Sequence, residues 1–197
     1  MAKRPSKKSA KRPVDTERYT SAEYRPYVMA IGQVALAWND LHETLGEFFY
    51  EFVGGAPDDK MEAVWQSHIS DRGKRAMLKA TVNEMSAEEH RFNPKAKSEM
   101  AWLFGQVDRL EEARNNVIHA PLSSLDWPQY NRMARLMGLP PKPEGVRPAD
   151  LRGNRQAVRL QNKNLLAEYR LVRDEVMIFR DYVEAIADAW NGTYIHP

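Results

Sequence analysis

The 197-residue sequence contains no cysteine, which excludes disulfide bonds, thiolate metal ligands and catalytic thiols. No stretch approaches the roughly 20 apolar residues that a helix needs to cross a bilayer, and no apolar segment follows the basic N-terminus to make a signal peptide. The alternation of polar and apolar residues that is typical of half-buried strands is also missing. We therefore expect a soluble all-α protein without membrane association, in a cytoplasmic location.

Positive charge is concentrated at the N-terminus. Six Lys and Arg side chains fall within the first thirteen residues, which leaves 23 basic against 27 acidic side chains on the rest of the chain. Almost nothing apolar accompanies them, so we predict a disordered basic tail over residues 1–22. It could bind phosphates without regard to sequence or could simply keep the protein in solution. We interpret residues 23–197 as one helical domain.

Apolar residues recur at steps of three and four in several segments, which predicts amphipathic helices. The first begins near Pro26 and ends at Gly54–Gly55, and a shorter one follows Asp58 with a break near Ser70 or Gly73. A long helix starts after Asn93–Pro94, and the last one follows a regular heptad from Leu165 to Trp190. The pattern predicts an antiparallel bundle of about four long helices.

Residues 121–155 lose this periodicity among repeated prolines and glycines. We interpret them as a proline-rich loop insertion before the last helix, with one short helix between Trp127 and Met137. An ordered loop of this length is uncommon without a function. Its six arginine and lysine side chains could guide an RNA strand or keep the loop hydrated.

Arg114 interrupts the apolar stripe of the helix that follows Pro94. The stripe consists of Ala96, Met100, Leu103, Val107, Leu110, Arg114 and Val117. An unpaired guanidinium would cost roughly several kcal/mol to bury, so this position needs a partner or a polar cleft. Such conflicts with the local pattern tend to occur at functional sites.

Arg114 and His119 flank Asn115, Asn116, Val117 and Ile118 near the end of this helix. The arrangement resembles the signature of the HEPN superfamily, an arginine that is usually followed by a polar residue and then, after four to six intervening positions, by a histidine. None of the other four histidines follows an arginine at this spacing. The resemblance covers about Arg25 to Ser124 and the final helix.

The resemblance implies RNA cleavage without a metal or another cofactor, in which the 2′-hydroxyl attacks the adjacent phosphorus. His119 would transfer the proton, and Arg114 would stabilise the charge on the phosphoryl oxygens. Asn115 and Asn116 would contact the substrate, and Asn115 could instead orient the arginine. Glu43 of the first helix is a candidate supporting residue.

Residues five apart in an unbroken helix lie roughly 140° apart around its axis, too far to share one phosphate. We therefore expect the helix to end or distort near Val117, with Pro121 helping to stop it. The resemblance also implies a homodimer in which both motifs face one cleft. It is compatible with a toxin or a phage-defence factor that has an antitoxin-type protein partner.

Two alternatives to an enzyme remain, a non-catalytic nucleotide-binding or RNA-binding protein and a partner-binding helical bundle. In a purely structural interpretation, Arg114 would pair with Glu111 or Glu112 or with a neighbouring helix, and His119 would meet the negative end of the helix dipole. We place His42 on the flank of its helix. The tryptophans predicted to lie in the core are Trp38, Trp102 and Trp190.

Overall fold

The computed structural model describes residues 21–54, 59–85, 95–120, 122–125, 128–140, 145–148 and 154–190. These residues form seven helices and two short strands. The elements are α1 Arg25–Gly54, α2 Asp59–Ser67, α3 Asp71–Glu84, α4 Ala96–His119, β1 Leu122–Leu125, α5 Pro128–Leu136, β2 Gly145–Pro148, α6 Arg155–Leu160 and α7 Leu165–Trp190. The all-α class predicted from the sequence is confirmed.

Three long helices, α1, α4 and α7, build the core with 30, 24 and 26 residues. Helix α7 packs along α1 and also contacts α4, while α3 packs against both α1 and α4. Helix α2 contacts α1, and α6 contacts α4. The antiparallel order of about four long helices stays a prediction.

The apolar stripes predicted from the sequence form the core of the fold. The fully buried side chains include Val34, Trp38, Leu41 and Leu45 of α1 and Tyr169, Val176 and Val183 of α7. The predicted break between α2 and α3 is confirmed, because Ser70 caps α3 and its Oγ accepts a hydrogen bond from the Gly73 N–H at 3.1 Å.

Residues 121–155 do not form one long loop, so that interpretation needs correction. Strand β1 pairs with β2 in antiparallel register, with Leu122 opposite Pro148 and Leu125 opposite Gly145. Each strand has only four residues, too few to show an alternating pattern. The short helix predicted inside this segment is confirmed by α5.

Two predictions about side-chain burial are wrong. Trp102 is 49% exposed, because it lies at the edge of the contact between α4 and α7, with its ring 5.8 Å from Phe179 and 5.3 Å from Tyr182. His42 is only 5% exposed and lies in the core beside Trp38 rather than on a flank. Trp38 is buried, as predicted.

Several predictions fall outside the described residues. They concern the basic tail up to residue 20, the Asn93–Pro94 helix start and the side chain of Trp190. Among the helices that the structure does describe, none combines the length and apolar character needed to cross a membrane.

Candidate functional site

Arg114 occupies the stripe of α4 between Leu110 and Val117, where its side chain is half-buried. Its guanidinium carbon lies 5.5 Å from the centre of the Trp38 ring, and Nη1 donates to Asn115 Oδ1 at 2.9 Å. Its Nε is buried and has no hydrogen-bond partner in the described part of the chain. The charge that interrupts the stripe is thus accommodated on an aromatic face, where the ring quadrupole attracts a cation.

The carboxylates nearest to Arg114 along α4 are bound to other arginines. Glu111 pairs with Arg75 and, at 3.1 Å, with Arg72, and Glu112 pairs with Arg159. Pairing of Arg114 with Glu111 or Glu112 is therefore wrong, whereas its contact with Trp38 agrees with the other structural alternative, a neighbouring helix. Within the described residues Arg114 has no ion pair.

Trp38, whose ring contacts the Arg114 guanidinium, is itself fixed by a hydrogen bond between helices. Its indole Nε1 donates to Asp71 Oδ2 at 2.7 Å, which ties α1 to the first residue of α3. A second guanidinium, that of Arg75, lies 5.6 Å from the centre of the same ring. One buried indole therefore contacts two arginines from two different helices.

The second arginine, Arg75, belongs to a buried polar network. It donates from Nε and Nη2 to Asp108 Oδ1 at 3.2 and 3.0 Å and from Nη2 to Glu111 Oε2. Its Nη1 lies 3.0 Å from His42 Nε2. Arg75 is 3% exposed and so connects α1, α3 and α4 from inside the fold.

His42 fits this network as a neutral imidazole. Its Nδ1 lies 2.9 Å from the Trp38 carbonyl oxygen, so a proton on Nδ1 lets His42 donate there while Nε2 accepts from Arg75. Burial lowers the pKa of His42, and the bond to the Trp38 carbonyl and the nearby Asp71 carboxylate only partly oppose this. The sequence interpretation missed this network.

The prediction that α4 ends or distorts near Val117 is wrong. The helix continues through His119, and the Ala120 N–H still donates to the Asn116 carbonyl at 3.3 Å. Proline acts on the residue before it, and Ala120 is extended with φ −74° and ψ 117°, so Pro121 terminates the helix only after His119.

The side chains of Arg114 and His119 in one chain therefore leave α4 in directions roughly 140° apart. His119 is exposed in the last turn, whereas Arg114 faces Trp38. The structure does not bring the two together within one chain. The dipole interpretation of His119 remains compatible with its place at the helix end.

The other predicted site residues lie in different surroundings. Asn115 accepts a hydrogen bond from Arg114, which supports its orienting role. Asn116 lines a groove of about 500 Å³ between α4, α6 and α7, with Arg109 and Lys163. Glu43 is exposed and lines a separate groove of about 400 Å³ between α1, α2 and α3, which neither Arg114 nor His119 lines.

The grooves offer no evident metal centre. Among the described residues, no three His, Asp or Glu side chains are arranged so that they could hold a metal ion.

Comparisons of the chain with protein-family models, curated proteins and solved structures found no match. The likeness to the HEPN superfamily thus rests on the Arg114–His119 motif and on the helical setting, and it stays a prediction.

Proposed function

We propose that this chain is a metal-independent endoribonuclease with Arg114 and His119 as its catalytic residues. One observation carries the proposal: a half-buried guanidinium, held on Trp38, has no carboxylate partner among the described residues. A planar cation of this kind can bind two phosphate oxygens at once. Arg75, an arginine buried more deeply in the same region, pairs with carboxylates instead.

In the proposed reaction, the 2′-oxygen of the RNA forms a bond to the adjacent phosphorus while the bond to the 5′-oxygen breaks. His119 takes the 2′-hydroxyl proton, and an imidazolium returns a proton to the leaving 5′-oxygen. Arg114 stabilises the negative charge that builds on the phosphoryl oxygens. Asn115 holds Arg114 through Nη1, and Asn116 is a candidate RNA contact.

The continuous helix α4 makes a second copy of the chain part of this proposal. Because Arg114 and His119 diverge within one chain, the phosphate bound by one Arg114 needs a histidine from elsewhere. The exposed His119 at the end of α4 is accessible to a second copy. A homodimer would then bring the arginine of one chain to the histidine of its partner.

Cleavage of labelled single-stranded RNA in the presence of EDTA tests the activity. We expect Arg114→Ala and His119→Ala to abolish cleavage. The matched controls Arg170→Ala and His68→Ala, which remove an exposed arginine and an exposed histidine outside the two grooves, should retain it. Equal cleavage by all variants would place the activity elsewhere or in a contaminant.

Mixing the two inactive variants tests the shared site. If Arg114 and His119 act from different chains, a heterodimer of Arg114→Ala with His119→Ala still contains one intact site, and the mixture should regain part of the activity. If both act within one chain, the mixture stays inactive. Light scattering that finds only monomer at assay concentrations would contradict the dimer.

The direction of His119 favours one second candidate, an RNA-binding or partner-binding helical bundle that does not cut. Binding of RNA without cleavage in the same assay would support it.

We also propose a cytoplasmic location and a role as a toxin or phage-defence factor with an antitoxin-type partner. That role predicts growth arrest when the chain is expressed, relieved by His119→Ala.

A further inference from the structure

We propose that Trp38 is a positioning residue for Arg114 and that Asp71 fixes the orientation of the Trp38 indole for this purpose. The inference rests on the proposed function, since it concerns how the phosphate-binding arginine is held. It assigns a task to two residues of α1 and α3 that lie far from the Arg114–His119 motif in the sequence.

The contact with Trp38 restrains the guanidinium without neutralising it. A carboxylate in the same place would occupy the N–H groups that a phosphate needs and would cancel the charge. The face of an indole attracts the cation through its quadrupole without accepting a hydrogen bond from its N–H groups. Asn115 Oδ1, at 2.9 Å from Nη1, adds a neutral acceptor that fixes the rotation of the group.

Asp71 keeps the indole from turning. The bond from Trp38 Nε1 to Asp71 Oδ2 is 2.7 Å long and partly buried, in the range of charge-assisted hydrogen bonds. Asp71 is the first residue of α3, where the positive end of the helix dipole favours a carboxylate. The acceptor for Trp38 is therefore placed by the start of a helix rather than by a loop.

The two arginines that contact Trp38 differ in whether they form ion pairs with carboxylates among the described residues. Arg75 is neutralised by Asp108 and Glu111, so its contact with the ring contributes to the core. Arg114 lies at a similar distance from the ring, 5.5 against 5.6 Å, but has no ion pair within the described residues. Among the described residues, the Trp38 ring and Asn115 Oδ1 are therefore the groups that restrain the Arg114 guanidinium.

The test compares Trp38→Phe, which keeps an aromatic face, with Trp38→Leu, which does not. Trp65→Leu is the matched control, because Trp65 is also buried in the core but contacts Lys74 and Phe49 instead of Arg114. Circular dichroism and unfolding curves establish which variants fold. If Trp38→Leu does not fold, Asp71→Ala takes its place, with Asp71→Asn as the conservative partner that keeps an acceptor oxygen.

The first readout does not depend on cleavage. The Nε–H signal of Arg114 in a nitrogen-15 NMR spectrum, assigned from its loss in Arg114→Ala, should be displaced by the ring current of Trp38. Trp38→Leu removes the ring current itself, so Asp71→Ala, which keeps the ring but not its hydrogen bond, is the variant that reports on orientation. We expect the signal to move towards the value of a solvent-exposed arginine in Asp71→Ala and to stay near its original position in Asp71→Asn and Trp65→Leu. An unchanged signal in Asp71→Ala would overturn the proposal.

The second readout is kinetic. We expect Trp38→Leu to lower kcat about tenfold, the size expected from loss of a partly desolvated cation–π contact, with a smaller change in KM. In the Arg114→Lys background, which keeps a cation but loses the planar guanidinium, Trp38→Leu should lower the rate much less. A similar loss in both backgrounds would indicate a general packing defect and contradict a positioning role.

The two proposals fail in different ways. Absence of cleavage by the wild-type protein would reject the nuclease while the NMR comparison still decides whether Trp38 orients Arg114. Cleavage that depends on Arg114 but is unaffected by Trp38→Leu would reject the positioning role and leave the nuclease standing.

Discussion

Replacing Arg75 by alanine should destabilise the fold because this side chain connects three helices from the interior. It is 3% exposed and reaches His42 on α1 and both Asp108 and Glu111 on α4. Removal of one partner from a buried ion pair costs about 3–5 kcal/mol when it leaves a buried charge without a partner. Asp108 is 60% exposed and regains water, and Glu111 keeps Arg72, so we expect a smaller loss of about 2–3 kcal/mol, from the buried His42 Nε2 that loses its donor and from the lost packing of the arginine stem.

Urea unfolding at neutral pH, followed by far-ultraviolet circular dichroism, measures this loss. Arg109→Ala is the matched control, because it removes the same charge from an exposed position on α4 and should change the free energy of unfolding by less than about 0.5 kcal/mol. A loss of less than about 1 kcal/mol for Arg75→Ala would refute the reasoning, since it is the size of one ordinary hydrogen bond.

Three further predictions concern single side chains. Gly46→Ala should cost about 1–3 kcal/mol in urea unfolding, because its Cβ would lie 2.8 Å from Trp65 Nε1, whereas Gly105→Ala meets nothing within 4 Å and should add up to about 1 kcal/mol. Burial lowers the pKa of His42, so the folded state should lose stability relative to His42→Asn as pH falls below the ordinary histidine value near 6.5, and parallel curves would contradict this. Among the residues that the structure describes, the buried hydroxyl of Tyr169 has no hydrogen-bond partner, so Tyr169→Phe should leave the melting temperature unchanged or raise it, and a clear drop would contradict this.

The long helices could be predicted because their stripes obey one simple rule. Apolar residues at steps of three and four leave one face of a helix that can be buried. The predicted ends of α1 and α7 lie within about two residues of the ends in the structure. The break near Ser70 was predicted but the cap was not, although a hydroxyl before a helix, which can satisfy a free N–H, is also a local signal. Both signals are local and need no knowledge of the neighbouring helices.

The missed features depend on contacts between distant segments. Strands β1 and β2 are each four residues long and are stabilised by pairing with each other, so neither has a pattern of its own. Trp102 is apolar yet half-exposed. The periodicity predicts on which side of α4 a side chain lies, but it does not predict how far the contact with α7 extends around the helix. The extension of α4 to His119 was missed because a proline four residues after Val117 was expected to act earlier than it does.

Arg75 shows how the polar network could have been found. It stands three residues before Leu78 and seven before Val82, so it interrupts the stripe of α3 as Arg114 interrupts that of α4. Two helices with a guanidinium in the stripe indicate that polar groups enter the core at both places. Which carboxylates would meet which arginine could not be read from the sequence, because the crossing of α1, α3 and α4 decides it.

The same comparison explains why Arg114 rather than Arg75 is the candidate site. Both are arginines in apolar stripes, and both contact Trp38. Arg75, however, forms ion pairs with Asp108 and Glu111, which stabilise the fold. If Arg114 binds phosphate, the proton acceptor must come from another chain or from unwinding of the last turn of α4. Unwinding would break the bond from the Ala120 N–H to the Asn116 carbonyl and leave these groups without helical partners. A second copy needs no such change, so recovery of activity on mixing Arg114→Ala with His119→Ala distinguishes the two routes.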